Sequence, residues 1–439
     1  MIALPTAVLV PGHSRAVTPT TSTIGIATES ARPSAVAIAG PGRHGLPPAC
    51  AVDNGGLTLP KGFCAIVVAD GVPSPRHLVV MPNGDLFVSS SSAGIVALRD
   101  TSGDGRADVR EQWGGFHSSE VAVRGGYLFA DATTAVLRFP IRAGSLVAAG
   151  PADTLIAGLP GGGHSAKTFA LGPDGTLYLN IGSRSNSCQR TDRERESKGN
   201  DPCTERESRA GIWTFRTDRL HQTPSDGVHY GTGIRNAVGV AFNTADNALY
   251  ATQHGRDQLS QNWPSLFDDA KSAETPAEEL FRVGMGDDFG WPFCYYDRQL
   301  ALKVLAPEYG GDGHTVGRCA TFKGNVASFP GHWAPNALAF YAGRSFPTRY
   351  RNGAFIAFHG SWNRAPLPQG GFNVVFQPMR NGKAAGDYEI FARGFMGDAA
   401  GRERGVHRPT GLAIGPDGSL YVTDDAGGRI WRIMYAGAN

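Results

Sequence analysis

From Gly161 to Ser183 the chain reads GGGHSAKTFALGPDGTLYLNIGS, and the middle of this stretch decides the fold. Phe169-Ala-Leu171 is a short apolar run. Pro173-Asp174-Gly175 follows, in which proline fixes φ and glycine accepts positive φ, and Leu177 to Ile181 then alternates apolar and polar positions. That order predicts a strand, a tight turn and a strand. Ahead of the hairpin, three glycines lead into His164, a polar ring placed where a loop enters a strand. A lone histidine in such a place is more often structural than catalytic, so its role depends on what else the chain supplies. Gly161 to Thr168 nearly spells a phosphate-binding P-loop, but Ala166 stands where glycine is needed before Lys167. A hairpin rather than a helix follows, leaving no helix N-terminus to receive a phosphate.

Working outward, the same unit recurs along the chain. It appears as Arg76-His-Leu-Val-Val-Met-Pro-Asn-Gly-Asp-Leu-Phe-Val-Ser89, as a degenerate copy from Glu120 to Phe129, and as the stretch above. It continues as Ala237 to Tyr250, as Ala337 to Tyr341 with Asn352 to Ala357 after a longer connection, and as Gly411-Leu-Ala-Ile-Gly-Pro-Asp-Gly-Ser-Leu-Tyr-Val422. Six copies averaging roughly 65 residues predict an all-β, six-bladed β-propeller of four-stranded antiparallel blades with loop insertions. A β-sandwich does not repeat its sequence in this way, and a TIM barrel places helical patterns between its strands. The segment Leu59 to Phe63 is expected to open the first strand of the folded part.

Composition sets the outer bounds. A chain of 439 residues with 41% hydrophobic content and 59 glycines can bury a large core and favours short strands joined by glycine-rich turns. A net charge of +2 is too mild to imply a nucleic-acid or anionic-membrane partner. No run of 18 apolar residues is present to span a bilayer. Residues 1–50, rich in Ala, Pro, Ser, Thr and Gly, read as a leader or disordered arm, and residues 51–439 as the propeller domain. The short apolar stretch near the N-terminus has no Lys or Arg ahead of it, which makes a weak export signal.

The six cysteines fall as the sequence-local pairs Cys50/Cys64, Cys188/Cys203 and Cys294/Cys319, without C-x-x-C spacing. Disulfides in an oxidising compartment, periplasmic or secreted, are the expectation; buried free thiols are the alternative. Neighbour-to-neighbour pairing is the simplest of the connectivities open to them. Two insertions stand out: a charge-dense loop from Gln189 to Arg209, bracketed by one cysteine pair, and a longer one from about Ser260 to Pro330, expected to cap one face. Asp100-Thr-Ser-Gly-Asp-Gly-Arg-Ala-Asp-Val-Arg-Glu111 matches the twelve-position calcium loop, with oxygen ligands at Asp100, Ser102, Asp104, Asp108 and Glu111. The alternative is a polar turn whose aspartates cap backbone N–H groups.

Beyond the blades, the chain carries Thr232-Gly-Ile-Arg-Asn-Ala-Val-Gly239, Gln253-His-Gly-Arg256, Phe289-Gly-Trp-Pro292, His359-Gly-Ser-Trp-Asn-Arg364 and Arg408-Pro-Thr-Gly411. Together with His164 and the six blades, these motifs make residues 55–435 resemble the soluble glucose/sorbosone dehydrogenases, six-bladed propellers that use pyrroloquinoline quinone (PQQ) with calcium. The HGSWNR segment is closer to the sorbosone-type branch. The resemblance implies that His164 is the base that takes the sugar hydroxyl proton and that Arg235 stabilises charge developing on the quinone oxygen. It also implies that Arg235, Asn236, His254, Trp362, Arg364 and Arg408 contact the cofactor, a planar quinone with three carboxylates that calls for several cations and donors. Main-chain oxygens of Gly255 and Arg256 fall at the calcium position. Three departures accompany it: Arg256 replaces the proline of the glucose enzymes, no lysine stands at their cofactor position, and Thr410 replaces a second arginine. Glucose is therefore not assumed as the substrate.

The leading expectation is a PQQ-dependent aldose or sorbosone-type dehydrogenase that passes electrons to an external acceptor. Two other classes stay open: a non-catalytic propeller that binds sugars or proteins, and a calcium-dependent lactonase or hydrolase, which needs acidic ligands converging on the channel.

Overall fold

The structure, a computed structural model, describes residues 49–397 and 405–437. The leader or disordered-arm assignment for residues 1–50 lies almost wholly outside the described residues.

Six four-stranded antiparallel blades form in chain order. Their innermost strands are Pro75–Val80, Val121–Arg124, Phe169–Leu171, Val240–Asn243, Pro335–Phe340 and Pro409–Ile414. Each of these belongs to one of the six repeated units, and each pairs with the strand just after the unit's turn. The turn chemistry explains the repetition. In Pro173-Asp174-Gly175, glycine holds φ +83°, and the Asp174 carboxylate accepts from the Thr176 N–H at 3.0 Å and its hydroxyl at 2.8 Å. Pro416-Asp417-Gly418 repeats this, with φ +82° at Gly418 and Asp417 accepting from the Ser419 N–H at 3.2 Å.

The ring closes with a strand from the other end of the chain. Phe63–Ala69 pairs antiparallel with Arg429–Tyr435 as the outermost strand of the sixth blade, with Phe63 opposite Tyr435. The strand expected to open at Leu59 to Phe63 does start at Phe63, and it completes the last blade. Apolar side chains packed between neighbouring blades fill the core. At the seam of blades five and six, the Phe63 ring meets Phe346, Tyr350 and Phe391 edge-on at centroid distances of 4.8, 5.4 and 5.0 Å, the arrangement aromatic quadrupoles favour.

All three sequence-local cysteine pairs are disulfides: Cys50–Cys64, Cys188–Cys203 and Cys294–Cys319. The first ties the incoming chain to the closing strand. The other two lie in the insertions and share one buried cluster with Trp291 and Phe293, so the two insertions pack on each other. The longer insertion also adds two short helices, Leu259–Asn262 and Asp269–Glu274, and gives blade three a fifth strand, Asp287–Asp288, parallel to Gly231–Thr232.

Candidate active site

A chain of contacts joins residues next to the inner strands of blades three to six and one, running from His164 through Ser183, Arg235, His254 and Pro335, and from Arg408 through His359 and Asp425 to Arg76. His164 lies in the loop before blade three. Its Nδ1 is 2.9 Å from both the carbonyl and the hydroxyl oxygen of Ser183. A carbonyl can only accept, so Nδ1 carries the proton and Nε2 is the lone-pair nitrogen. Nε2 makes no hydrogen bond to the described residues. Burial, and then the neighbouring Arg235 cation, push the imidazole pKa down to about 3, so the ring is neutral at physiological pH. Gly182 is what lets these groups approach. A Cβ there would lie 2.7 Å from His164 Cβ and 2.9 Å from Asn236 Oδ1.

Arg235 is 2% exposed and almost fully engaged. Nε donates to the Asn186 carbonyl (3.1 Å), Nη1 to the Gly255 carbonyl (2.9 Å), and Nη2 to Asn186 Oδ1 and Asp257 Oδ2 (both 3.0 Å). Four of its five N–H groups are thereby fixed. Burial raises the Asp257 carboxyl, but Arg235, His332 and Arg193 outweigh it and hold the group well below the usual carboxylate range. Asn236, next along, is buried, and its Oδ1 has no hydrogen-bond partner. Its carbonyl accepts from the His254 N–H at 3.0 Å. The His254 ring contacts the Pro335 carbonyl through Nε2 at 3.2 Å, and burial followed by Arg235 lowers its pKa to about 4.

The arc continues through blades five, six and one. The His359 N–H donates to the Ala334 carbonyl, and its Nε2 lies 2.7 Å from Asp425 Oδ1. The other oxygen of Asp425 pairs with Arg76 at 2.5 Å. Arg408 donates to the carbonyls of His359 (3.1 Å) and Gly360 (2.6 Å), which fixes the entry of the HGSWNR loop. Two residues on, Trp362 is 58% exposed, and its neighbour Asn363 donates to Asp257 Oδ1 at 3.2 Å.

Two sequence expectations need correction. Arg364 does not offer its guanidinium as a cofactor contact: it donates to the carbonyls of Ala273 and Gly331 (both 2.7 Å) and of Pro368 (3.2 Å) and pairs with Glu274, joining blade five to the long insertion. The Asp100–Glu111 segment forms the capped turn rather than a ring of inward-facing oxygens. Asp100 accepts from the N–H groups of Gly103 (2.6 Å) and Gly105 (2.7 Å), Asp108 from those of Thr101 and Ser102 (both 3.1 Å), and Asp104 from Arg106 (2.8 Å). The Ser102 hydroxyl donates to Asp100, and Glu111 lies exposed in the next strand. Among the described residues, no three His, Cys, Asp or Glu side chains are grouped to hold a metal ion.

At the Gly255-Arg256 position the Gly255 carbonyl already accepts from Arg235. The Arg256 side chain turns away into the long insertion, where Nη1 meets both Glu308 oxygens at 2.6 and 2.5 Å. The residues that sequence reasoning missed are Asn186, Asp257, Asp425 and Arg76. Asp257 directly follows Gln253-His-Gly-Arg256, and Arg76 opens the first repeated unit; nothing local marks the other two.

Arg76 and Arg235 are ion-paired with Asp425 and Asp257, Arg408 adds a third guanidinium, His254 is a neutral ring, and Asn236 Oδ1 is an orphaned buried acceptor beside His164 that calls for a donor. The TrAA12-like family model matches residues 57–436, and the chain belongs to that family. It is 23% identical over 433 residues to a pyrroloquinoline quinone-dependent pyranose dehydrogenase of Coprinopsis cinerea, covering 86% of this chain and 54% of that protein. The chain thus spans about half the length of the first curated relatives it matches. The holo pyranose dehydrogenase PQQ domain from Coprinopsis cinerea shares the fold at TM-score 0.70 and 19% identity, over 86% of this chain and 97% of that one. A calcium structure of a Trichoderma reesei family AA12 enzyme does so at TM-score 0.71 and 18% identity, over 87% and 97%.

Proposed function

We propose that this chain is a PQQ-dependent dehydrogenase of an aldose or sorbosone-type sugar, working outside the reducing cytosol and passing electrons to an external acceptor. The observation that carries this reading is the His164–Ser183–Arg235 arrangement: a neutral imidazole, anchored through Nδ1, beside a buried guanidinium of fixed pose. Nε2 of His164 takes the proton of a sugar hydroxyl. Arg235, itself only 2% exposed, would hold positive charge where negative charge develops. Arg76, Arg408, Asn236 and His254 are the remaining groups that would hold PQQ; the Gly255 carbonyl, already held by Arg235, is not offered to calcium. Bound there, the quinone supplies a two-electron hydride acceptor. The three disulfides support an oxidising compartment, and no helix among the described residues is long and apolar enough to cross a membrane. A calcium-dependent hydrolase needs free acids at the channel; here Asp257 and Asp425 are both paired with arginines.

The test mixes the apo-protein with calcium and PQQ at micromolar concentrations and follows cofactor absorbance and dye reduction over a panel of aldoses. Binding and turnover are expected; absence of PQQ binding overturns the reading. His164→Ala is expected to keep PQQ affinity and lose about 10²- to 10⁴-fold in kcat, and unchanged kcat removes the base assignment.

A further inference from the structure

The short segment from Ser183 to Cys188 touches both candidate catalytic side chains, and Asn186 is its centre. Asn186 is 1% exposed. Its carbonyl accepts from Arg235 Nε (3.1 Å) and from the Trp291 indole N–H (3.0 Å). Its side-chain Oδ1 accepts twice, from Arg235 Nη2 (3.0 Å) and the Asp257 N–H (2.9 Å), while Nδ2 donates to the Asp257 carbonyl (2.9 Å). Two donors on one side and a carbonyl on the other fix the amide orientation without ambiguity. Three residues earlier, Ser183 holds His164. Two residues later, Cys188 is disulfide-bonded to Cys203, and the Asn186 N–H is capped by Asp192 (2.9 Å).

We propose that Asn186 is a positioning residue for Arg235: its amide locks the guanidinium and Asp257 into one pose, and the stapled loop carrying it sets the spacing between that guanidinium and His164. The catalytic consequence rests on the dehydrogenase reading; the pose itself does not. Only an amide satisfies the set. Alanine removes the Oδ1 and Nδ2 bonds and leaves only those of the backbone. Aspartate keeps the double acceptor but turns an oxygen against the Asp257 carbonyl.

A double-mutant cycle with Asn186→Ala and Arg235→Lys tests the proposal, because a residue that acts through another loses its effect when the other is changed. In the apo-protein the cycle is read by urea unfolding, and in the presence of PQQ by tryptophan-fluorescence titration and by kcat and KM for the sugar. In the Arg235 background, Asn186→Ala is expected to cost about tenfold in PQQ affinity and in kcat, with KM for the sugar changing less than threefold. In the Arg235→Lys background both losses shrink to near unity. Asn186→Asp, which keeps the acceptor for Arg235 but loses the Nδ2 bond to the Asp257 carbonyl, is expected to fall between wild type and the alanine variant in PQQ affinity, and covers the case in which the alanine variant does not fold. Equal losses in both backgrounds, or loss of stability with kcat unchanged, overturn the proposal. If the wild-type chain binds no PQQ, the dehydrogenase reading fails. The apo cycle then decides the positioning claim: a coupling of about tenfold in the unfolding constant supports it, and strict additivity overturns it.

Discussion

Two loops of this protein use the same polar groups to opposite ends. Between Asp100 and Asp108, the carboxylates turn back on their own loop and cap its N–H groups, and the segment lies largely at the surface. Between Ser183 and Asn186, the carbonyls, a hydroxyl and an amide reach outward and grip other segments: the side chains of His164 and Arg235 and the backbone of Asp257. The first loop carries the louder sequence signature, four carboxylates at calcium-loop spacing; the second carries none. What matters is where the polar groups find their partners. A loop that satisfies itself is a turn, whereas one that satisfies others becomes part of a site.

The contrast can be broken from either side. The largest stability effect is expected on removing the Cys188–Cys203 bridge by a double serine substitution. The bridged residues are 15 positions apart, and a loop of that length is worth about 3 kcal/mol; urea unfolding measures it, and turnover should fall with it. Next comes Gly182→Ala, whose methyl would collide with His164 and Asn236. A loss of about 1–3 kcal/mol, together with weaker PQQ binding, is expected, and wild-type affinity would show that the site relaxes easily. Asp100→Ala should cost about 1 kcal/mol and leave turnover intact, and melting should drop equally in calcium and in chelator. A loss seen only in calcium would restore the metal-loop reading for Asp100 to Glu111.

The smallest effect is on the pH profile. Burial and Arg235 hold His164 at about 3, below the 6.5 of a free imidazole. The base is therefore already deprotonated above that value, and its activity is lost only as pH falls through about 3. Log kcat/KM should be flat between about pH 5 and 8; an inflection near 6.5 that disappears in His164→Ala would mean the ring is better solvated than its surroundings indicate.

The blades were legible because each is announced by a local rule: apolar run, Pro-Asp-Gly or an equivalent turn, apolar alternation. The disulfides were equally local, with partners 14, 15 and 25 positions apart. Arg364 misled because its motif gives the residue type but not the direction of the side chain, which the end of the Asp269–Glu274 helix and the Gly331 carbonyl determine. Asn186 and Asp425 could not be read, since each acts on residues tens or hundreds of positions away: Arg235 is 49 beyond Asn186, and Asp425 is 349 beyond Arg76. Such pairings exist only once the ring has closed.

That closure has a consequence for how the molecule comes into being. Trp431 Nε1 donates to the Gly55 carbonyl, 376 positions away, so Phe63–Ala69 must wait for Arg429–Tyr435 to be made before it has a strand to pair with. In the interval, the Cys50–Cys64 bond can form within a nascent segment that has no sheet to join. An unpaired Phe63–Ala69 edge, FCAIVVA, is then the stretch most exposed to pairing with another chain. A fragment that begins after Ala69 would lack both the staple and the closing strand, and would leave Arg429–Tyr435 as a bare edge on the sixth blade.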